Sequence, residues 1–163
     1  MHFPIAFLSI YSIMELARWK KLNSKVYWFY VKAIIVIIGV GSSFFALQTG
    51  QIAKQKFRAT PEMALVNMHS SWAILSVYIF SFVAILYIIS WIDKELGIVK
   101  NESYRNIWHF ALNIKTKVLE SWIIIVLAAL GLVAITITGA LGGAIVYGPD
   151  TDPFIKAVYG VFF

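Results

Sequence analysis

The sequence predicts an all-α integral membrane protein, a bundle of four membrane-spanning helices that forms a single domain over residues 1–163. Hydrophobic residues make up 60% of the chain. Charged residues make up only 13%, about half of their share in an average soluble domain. The apolar stretches are long and continuous, whereas the strands of a membrane barrel alternate apolar and polar residues. These observations exclude an ordinary soluble globule and a disordered tail.

Four stretches are candidates for membrane spans, because a helix needs about 20 mostly apolar residues to cross a bilayer core of about 30 Å. They are residues 2–17, 26–52, 61–92 and 118–147. The first is the shortest, and the second contains the almost unbroken aliphatic run Ala33–Val40. Thr60, Pro61 and Glu62 are typical of an N-cap, a first-turn proline and a first-turn acid. They predict that the third span begins there.

Two further helices are expected outside the spans. The segment 103–117 is amphipathic, with His109 on its polar face, so it is expected to lie along the cytoplasmic interface or to extend the fourth span. After the turn at Gly148 and Pro149, Asp152 is expected to cap a short C-terminal helix on the outer surface. The apolar side of this last helix is expected to carry Phe154, Val158 and Phe162.

Lysine and arginine residues set the expected orientation. Nine of the 14 lie between the first and second spans or between the third and fourth, and a tenth, Lys32, lies just inside the second span on the same side. Because cytoplasmic loops are enriched in these residues, both termini are expected on the periplasmic side of a bacterial cytoplasmic membrane. The net charge of +6 is then explained by topology and by anionic lipid headgroups. No nucleic-acid partner is predicted.

Polar and small residues from different spans are expected to converge in the outer part of the bilayer, because a helix rises about 1.5 Å per residue. Histidines on two helices can ligate a haem iron from both sides, and small residues let a flat macrocycle approach the helix backbones. The chain has no cysteine, so attachment would be noncovalent. The sequence predicts one haem b with His2 and His69 as axial ligands, Gly50, Gly139, Gly142 and Gly143 beside the macrocycle, and Arg58 near the propionates.

Each of these features also has a purely structural explanation. A histidine at a helix end can be an interfacial or hydrogen-bonded residue without a ligand. Gly139 and Gly143 form the common small-residue packing motif of membrane helices. The basic stretch 54–58 can be a headgroup-binding loop.

Glu15 and Lys32 are the remaining charges at membrane depth. Glu15 can pair with Arg18 on its own helix face. Lys32 can extend to the cytoplasmic surface or pair with Glu15 across two helices. Ionisable residues in a membrane are candidates for proton relays, so a proton relay is a further interpretation of Glu15 and Lys32.

Several short strings, in order along most of the chain, resemble a known family. They are the opening His2-Phe3-Pro4-Ile5-Ala6, then Thr49-Gly50, His69, and 139–143 running into Val146-Tyr147-Gly148. Together they are similar to a family of small bacterial four-helix membrane proteins, a domain of unknown function with the character of a b-type cytochrome. The resemblance implies that His2 and His69 are the axial ligands.

We therefore expect a haem b-binding electron-transfer subunit of a larger respiratory-type complex, with the bilayer and other subunits as partners. Independent catalysis is not expected, because the sequence has no nucleophile–base pair, P-loop or metalloprotease motif. Two alternatives remain. One is an accessory subunit without a cofactor, and the other is a quinol-site or proton-path subunit that uses Glu15 and Lys32.

Overall fold

A computed structural model describes residues 3–17, 20–23, 25–96 and 105–163. Within these ranges the chain forms α-helices and one 3₁₀ turn, with no β-strand, so the predicted all-helical class is confirmed. The helices are α1 (Phe3–Leu16), α2 (Lys20–Asn23), α3 (Val26–Lys54), α4 (Met63–Leu96), α5 (Arg105–Leu119), α6 (Ile123–Tyr147) and α7 (Pro153–Phe162), and the 3₁₀ turn Gln55–Phe57 follows α3.

Three of the described helical segments are long and apolar enough to cross a membrane. They are Val26–Phe57, Met63–Glu95 and Ile123–Tyr147. Helix α1 has 14 residues and is therefore about 21 Å long, shorter than a bilayer core of about 30 Å. By length and composition, the fold indicates a membrane protein with at least three helices suited to crossing the bilayer.

The hydrophobic core lies where α1, α3, α4 and α6 meet. Tyr11 is fully buried there, and its ring makes edge-to-face contacts with Phe80 and Tyr87 at centroid distances of 6.2 and 5.9 Å. Such aromatic pairs add about 0.5–1.5 kcal/mol beyond the burial of their surface. Tyr11 therefore joins α1 to α4 at the middle of the core.

Two glycines allow the helices to approach closely in this core. A Cβ atom at Gly39 of α3 would lie 2.5 Å from the side chain of Leu8, and one at Gly131 of α6 would lie 2.5 Å from the ring of Phe80. Both distances are far below van der Waals contact. The large side chains of α1 and α4 thus pack directly on glycine backbone, as is typical of helix pairs in membranes.

Two helix boundaries differ from the sequence-based prediction. Helix α4 begins at Met63 and not at Pro61, because its first hydrogen bond of helical spacing runs from the Val66 N–H to the Glu62 carbonyl (3.0 Å), while the Thr60 hydroxyl donates to the Phe57 carbonyl (3.2 Å) of the preceding turn. The fourth span begins at Ile123 and not at residue 118, because residues 120–122 form a turn after α5. The Ser121 hydroxyl accepts a hydrogen bond from the backbone N–H of Ile123 (3.1 Å) at the start of α6.

The predicted interfacial helix corresponds to α5, which packs against α4 and α6. His109 is exposed on it, as expected from the polar face. Lys115 lies 3.8 Å from Asp93 of α4 and ties the helix to the end of α4. Ile107 and Phe110 are largely exposed on α5, so part of its apolar surface is left free for lipid or protein.

The cap of the C-terminal helix is confirmed: Asp152 accepts hydrogen bonds from the backbone N–H groups of Phe154 (2.7 Å) and Ile155 (3.0 Å). The side of α7 that packs on the bundle differs in part from the side expected from the sequence. Phe154 is exposed, whereas Ile155, Val158 and Phe162 pack with a cluster formed by α4 and α6. Helix α7 thus folds back onto the bundle after the turn at Gly148, whose φ of 91° suits glycine.

Candidate functional site: two cavities

His69 lies near the start of α4, and its Nδ1 atom is 2.9 Å from the backbone carbonyl oxygen of Thr138 on α6. A carbonyl oxygen can only accept, so Nδ1 carries the proton of this hydrogen bond and Nε2 keeps its lone pair. A histidine that binds a metal through one nitrogen commonly donates from the other to a carbonyl in this way. His69 is thus held in the tautomer that can ligate a metal or accept a proton at Nε2.

The ring of His69 has room because residue 142 is glycine. A Cβ atom at Gly142 would lie 3.1 Å from Cε1 and 3.4 Å from Nδ1 of His69. The first of these distances is tighter than an ordinary van der Waals contact, so a larger residue would press on the ring. Residues one helical turn apart lie on the same face of a helix. Gly142 and the Thr138 carbonyl are related in this way on α6, and together they set the position of His69.

His69 lines a partly open cavity of about 160 Å³ between α1, α3, α4 and α6, which we call the His69 cavity. Its lining is mainly apolar, with Leu8, Val77 and Ile135 among the contributors. The polar side chains that line it include Gln51, Lys54, Ser43, Ser76 and Thr138, and the last three donate their hydroxyls to carbonyls of their own helices. Helices that are far apart in sequence therefore meet at this histidine.

The structure brings some of the predicted cofactor residues together. Gly50 lines the His69 cavity, and no side chain or distant backbone atom lies within 4 Å of where its Cβ would be. Gly142 contacts His69, as described above. His2 lies outside the described residues. Pro4, two residues after it, lines the same cavity as His69.

The other predicted residues lie away from His69. Gly139 is exposed, and the position of its Cβ has no neighbour within 4 Å. Gly143 serves the packing of α7, since a Cβ there would lie 2.7 Å from Cδ1 of Ile155. Arg58 is exposed in the turn after α3 and does not line the cavity, whereas Lys54 does. Lys54 could not be preferred from the sequence, because all the basic residues of 54–58 follow the same span.

A second cavity, of about 630 Å³, lies at the opposite end of the bundle and is lined by Glu15; we call it the Glu15 cavity. Lys32 Nζ of α3 lies 3.0 Å from Glu15 Oε1 of α1, and the Tyr87 hydroxyl of α4 donates to the same oxygen at 2.5 Å. Of the pairings open to Glu15 and Lys32, the structure contains the one across two helices. Arg18 lies outside the described residues.

The His69 imidazole is a suitable ligand for haem, but the cavity beside it is small for a whole porphyrin. One neutral imidazole with an oriented ring is a suitable axial ligand for haem iron. A cavity of about 160 Å³ is smaller than the roughly 300–1,000 Å³ that drug-sized ligands occupy. A whole porphyrin would therefore need the space beyond the open side of the cavity as well.

Neither a protein-family model, nor a curated protein, nor a solved structure matches this chain. In the part of the chain that the structure describes, no group of three or more His, Cys, Asp or Glu side chains could hold a metal ion. The candidate function therefore depends on the geometry of the two cavities.

Proposed function

We propose that the chain is a haem b-binding membrane subunit that transfers electrons within a larger respiratory-type complex. One observation carries the proposal: the Thr138 carbonyl fixes His69 in the tautomer with a free Nε2, at a cavity shared by four helices. The glycine at position 142 leaves room for the ring, and the cavity leaves room for a ligand beside it.

His69 would supply one axial ligand through Nε2. His2 would supply the second, because it comes just before the α1 residues Pro4 and Ile5, which line the same cavity. When bound, haem supplies one-electron chemistry, by interconversion of ferrous and ferric iron. Only noncovalent attachment is open to a chain without cysteine.

Other residues of this chain would tune the site. The Thr138 carbonyl accepts the Nδ1 proton, which raises the basicity of the ligand nitrogen. Leu8, Val77 and Ile135 give the site an apolar lining that limits the access of water. The Lys54 ammonium group, which lines the cavity, would attract a propionate carboxylate more directly than Arg58.

We further propose a topology with four spanning segments, in which α1 crosses together with α3, α4 and α6 despite its length. The packing of α1 against α3 and α6 supports this arrangement. The lysines and arginines between the spans favour cytoplasmic loops on the Glu15 side and both termini on the periplasmic side of a bacterial cytoplasmic membrane. Because the loops between the spans are short, they offer little surface to soluble proteins, and other membrane subunits are the expected electron partners.

The proposal is tested by the haem content and the reduced-minus-oxidised absorbance spectrum of the purified protein in detergent. We expect about one haem per chain, and loss of the α band in His69→Ala and in His2→Ala. His109→Ala is the matched control, because His109 is exposed on α5 far from the cavity. A wild-type protein without an α band after expression with ample haem would refute the proposal and favour an accessory subunit without a cofactor.

A further inference from the structure

The Glu15 cavity contains a buried ionic cluster that the proposed haem site does not use. Glu15 is 6% exposed and Lys32 is 13% exposed at their side chains, and Tyr87 is buried beside them. The Glu15 Oε1 atom receives both the Lys32 ammonium, at 3.0 Å, and the Tyr87 hydroxyl, at 2.5 Å. Three helices, α1, α3 and α4, thus contribute one polar group each.

A buried ion pair of this kind is expected to contribute little to the stability of the folded protein. The desolvation of two buried ions can exceed their mutual attraction, and well-packed apolar residues of similar volume often stabilise as much or more. Charged residues within membrane segments mark functional paths more often than structural joints. The cluster is therefore better explained by a function other than electron transfer.

Water can reach the cluster from one end of the bundle. The Glu15 cavity, at about 630 Å³, is many times the roughly 30 Å³ that a water molecule occupies in the liquid. Besides the cluster itself, its lining is mixed, with apolar residues such as Phe29 and Ile124 beside the polar and charged residues Ser90, Lys94, Lys115, Glu120 and Ser121. The titratable members of this set line the same cavity as Glu15, with Lys94 on α4, Lys115 on α5 and Glu120 in the turn after α5.

The other side of the cluster is closed. Leu8 lines the His69 cavity and Glu15 lines the second cavity, seven residues further along α1, or about 10 Å. Between them Tyr11 and Ser12 are fully buried, and Tyr11 packs edge-to-face on Phe80. The two cavities are therefore separated by a packed layer.

The Tyr11 hydroxyl lies at the inner limit of the cluster. It is close enough to Tyr87 and Glu15 to interact with both, yet it makes no hydrogen bond of good geometry within the described part of the chain. A buried hydroxyl in this position is commonly satisfied by an ordered water. A water there would extend the polar path from the cavity up to the closed layer.

We propose that Glu15 is a proton-exchange site that is open to the aqueous phase on the side of the Glu15 cavity and closed toward the His69 cavity. On uptake, a hydrated proton in the cavity transfers its proton to the Glu15 carboxylate, which becomes a neutral carboxylic acid and leaves Lys32 as a net positive charge. On release, the proton returns to water in the same cavity. Lys32 and Tyr87 are positioning residues for this exchange.

Infrared difference spectroscopy of the reconstituted protein, recorded between a neutral and an acidic sample, tests the exchange. We expect a carboxylic-acid C=O band on acidification that is lost in Glu15→Gln and retained in Glu120→Gln, the control that removes a carboxyl from the same cavity. In Tyr87→Phe the band should shift to higher wavenumber, because the carboxyl loses a hydrogen-bond donor. Identical difference spectra for the wild type and Glu15→Gln would overturn the proposal.

A second measurement keeps the proposal falsifiable if Glu15→Gln fails to fold. The chain has no cysteine, so single-cysteine variants report water access cleanly. Ser121→Cys, in the cavity wall and partly exposed, should react with a membrane-impermeant thiol reagent added from the cavity side, whereas Ser12→Cys, in the closed layer, should not. Equal protection of both would overturn it. Because the haem α band is read separately, loss of proton exchange with an intact band would leave the proposed function standing.

Discussion

At the scale of single residues, His69 depends on neighbours that contribute backbone rather than side chains. The backbone carbonyl of Thr138 accepts a hydrogen bond from the ring, and Gly142 leaves room for the ring because it has no Cβ atom. The need for a partner of the histidine could be foreseen from the sequence, since a buried ring N–H is nearly always hydrogen-bonded. Its identity could not, because every residue of α6 has a carbonyl and only the packing of α4 on α6 selects one.

The glycine against His69 gives the first prediction. Gly142→Ala would place a methyl group 3.1 Å from Cε1 of His69, so the ring must move by a few tenths of an ångström. We expect a shift or weakening of the haem α band and a loss of stability of about 1 kcal/mol, read by absorbance and by thermal unfolding in detergent.

Gly139→Ala is the matched control for this variant, since no atom outside its own helix lies within 4 Å of the new methyl group. Alanine is favoured over glycine inside a helix by about 0.5–1 kcal/mol, so the control should be neutral or slightly stabilised. Equal spectra and unfolding temperatures for the two variants would contradict a role for Gly142 in positioning His69.

At the scale of elements, the sequence predicted the helices well where apolar runs end in charges or in turn residues. Helices α1, α3 and α4 lie within a few residues of the predicted spans. The break between α5 and α6 was predicted at residues 117–118, a few residues too early, and was left open against a continuous helix, because Ser121 and Trp122 interrupt an apolar run without glycine or proline. The packing face of α7 was predicted in part, since Val158 and Phe162 pack as expected and Ile155 packs in place of Phe154. Its choice depends on Gly143, which admits Ile155, and no periodicity within α7 itself reveals that contact.

The cap of α7 gives the second prediction. Asp152→Ala removes the acceptor for the N–H groups of Phe154 and Ile155, and we expect a loss of about 1 kcal/mol. Because α7 is held on the bundle by one small cluster, the loss should appear as faster proteolysis near Gly148 before the bundle itself unfolds.

Asp150→Ala is the control for the cap. Asp150 forms an ion pair with Lys156 at 2.8 Å and raises the pKa of that ammonium group, but both side chains are largely exposed. Exposed pairs contribute little to stability, since water and salt screen them. Proteolysis of Asp150→Ala should follow the wild type, and an effect as large as that of Asp152→Ala would show that charge and not capping holds α7.

At the scale of the whole molecule, α1 connects two chemically different ends. Its face carries Leu8 toward the His69 cavity, Tyr11 in the closed layer and Glu15 in the second cavity. An electron site near one membrane surface and a proton site open to the other would be separated by tightly packed core. If the proposed sites are present, such a division would keep protons from passing between the two surfaces.

The arrangement of the ends gives the last prediction. Helix α4 begins and α6 ends beside the same cavity, through the contact of His69 with Thr138, so the turn at Arg58 and the turn at Thr151 lie at one end of the bundle. Ser121 lies at the other end, where it lines the same cavity as Glu15 and Lys32. The distribution of lysine and arginine predicts that the Ser121 end faces the cytoplasm.

In intact bacterial cells whose outer membrane is made permeable, a membrane-impermeant thiol reagent should therefore label Thr151→Cys and Arg58→Cys. Ser121→Cys should be labelled only after the inner membrane is opened. The fold determines which sites lie at the same end, whereas the side of the membrane that each end faces is predicted from the loop charges. Labelling of Ser121→Cys alone in intact cells would invert the topology and place the proton-exchange cavity on the periplasmic side, and labelling that separates Arg58 from Thr151 would contradict the antiparallel packing of α4 and α6.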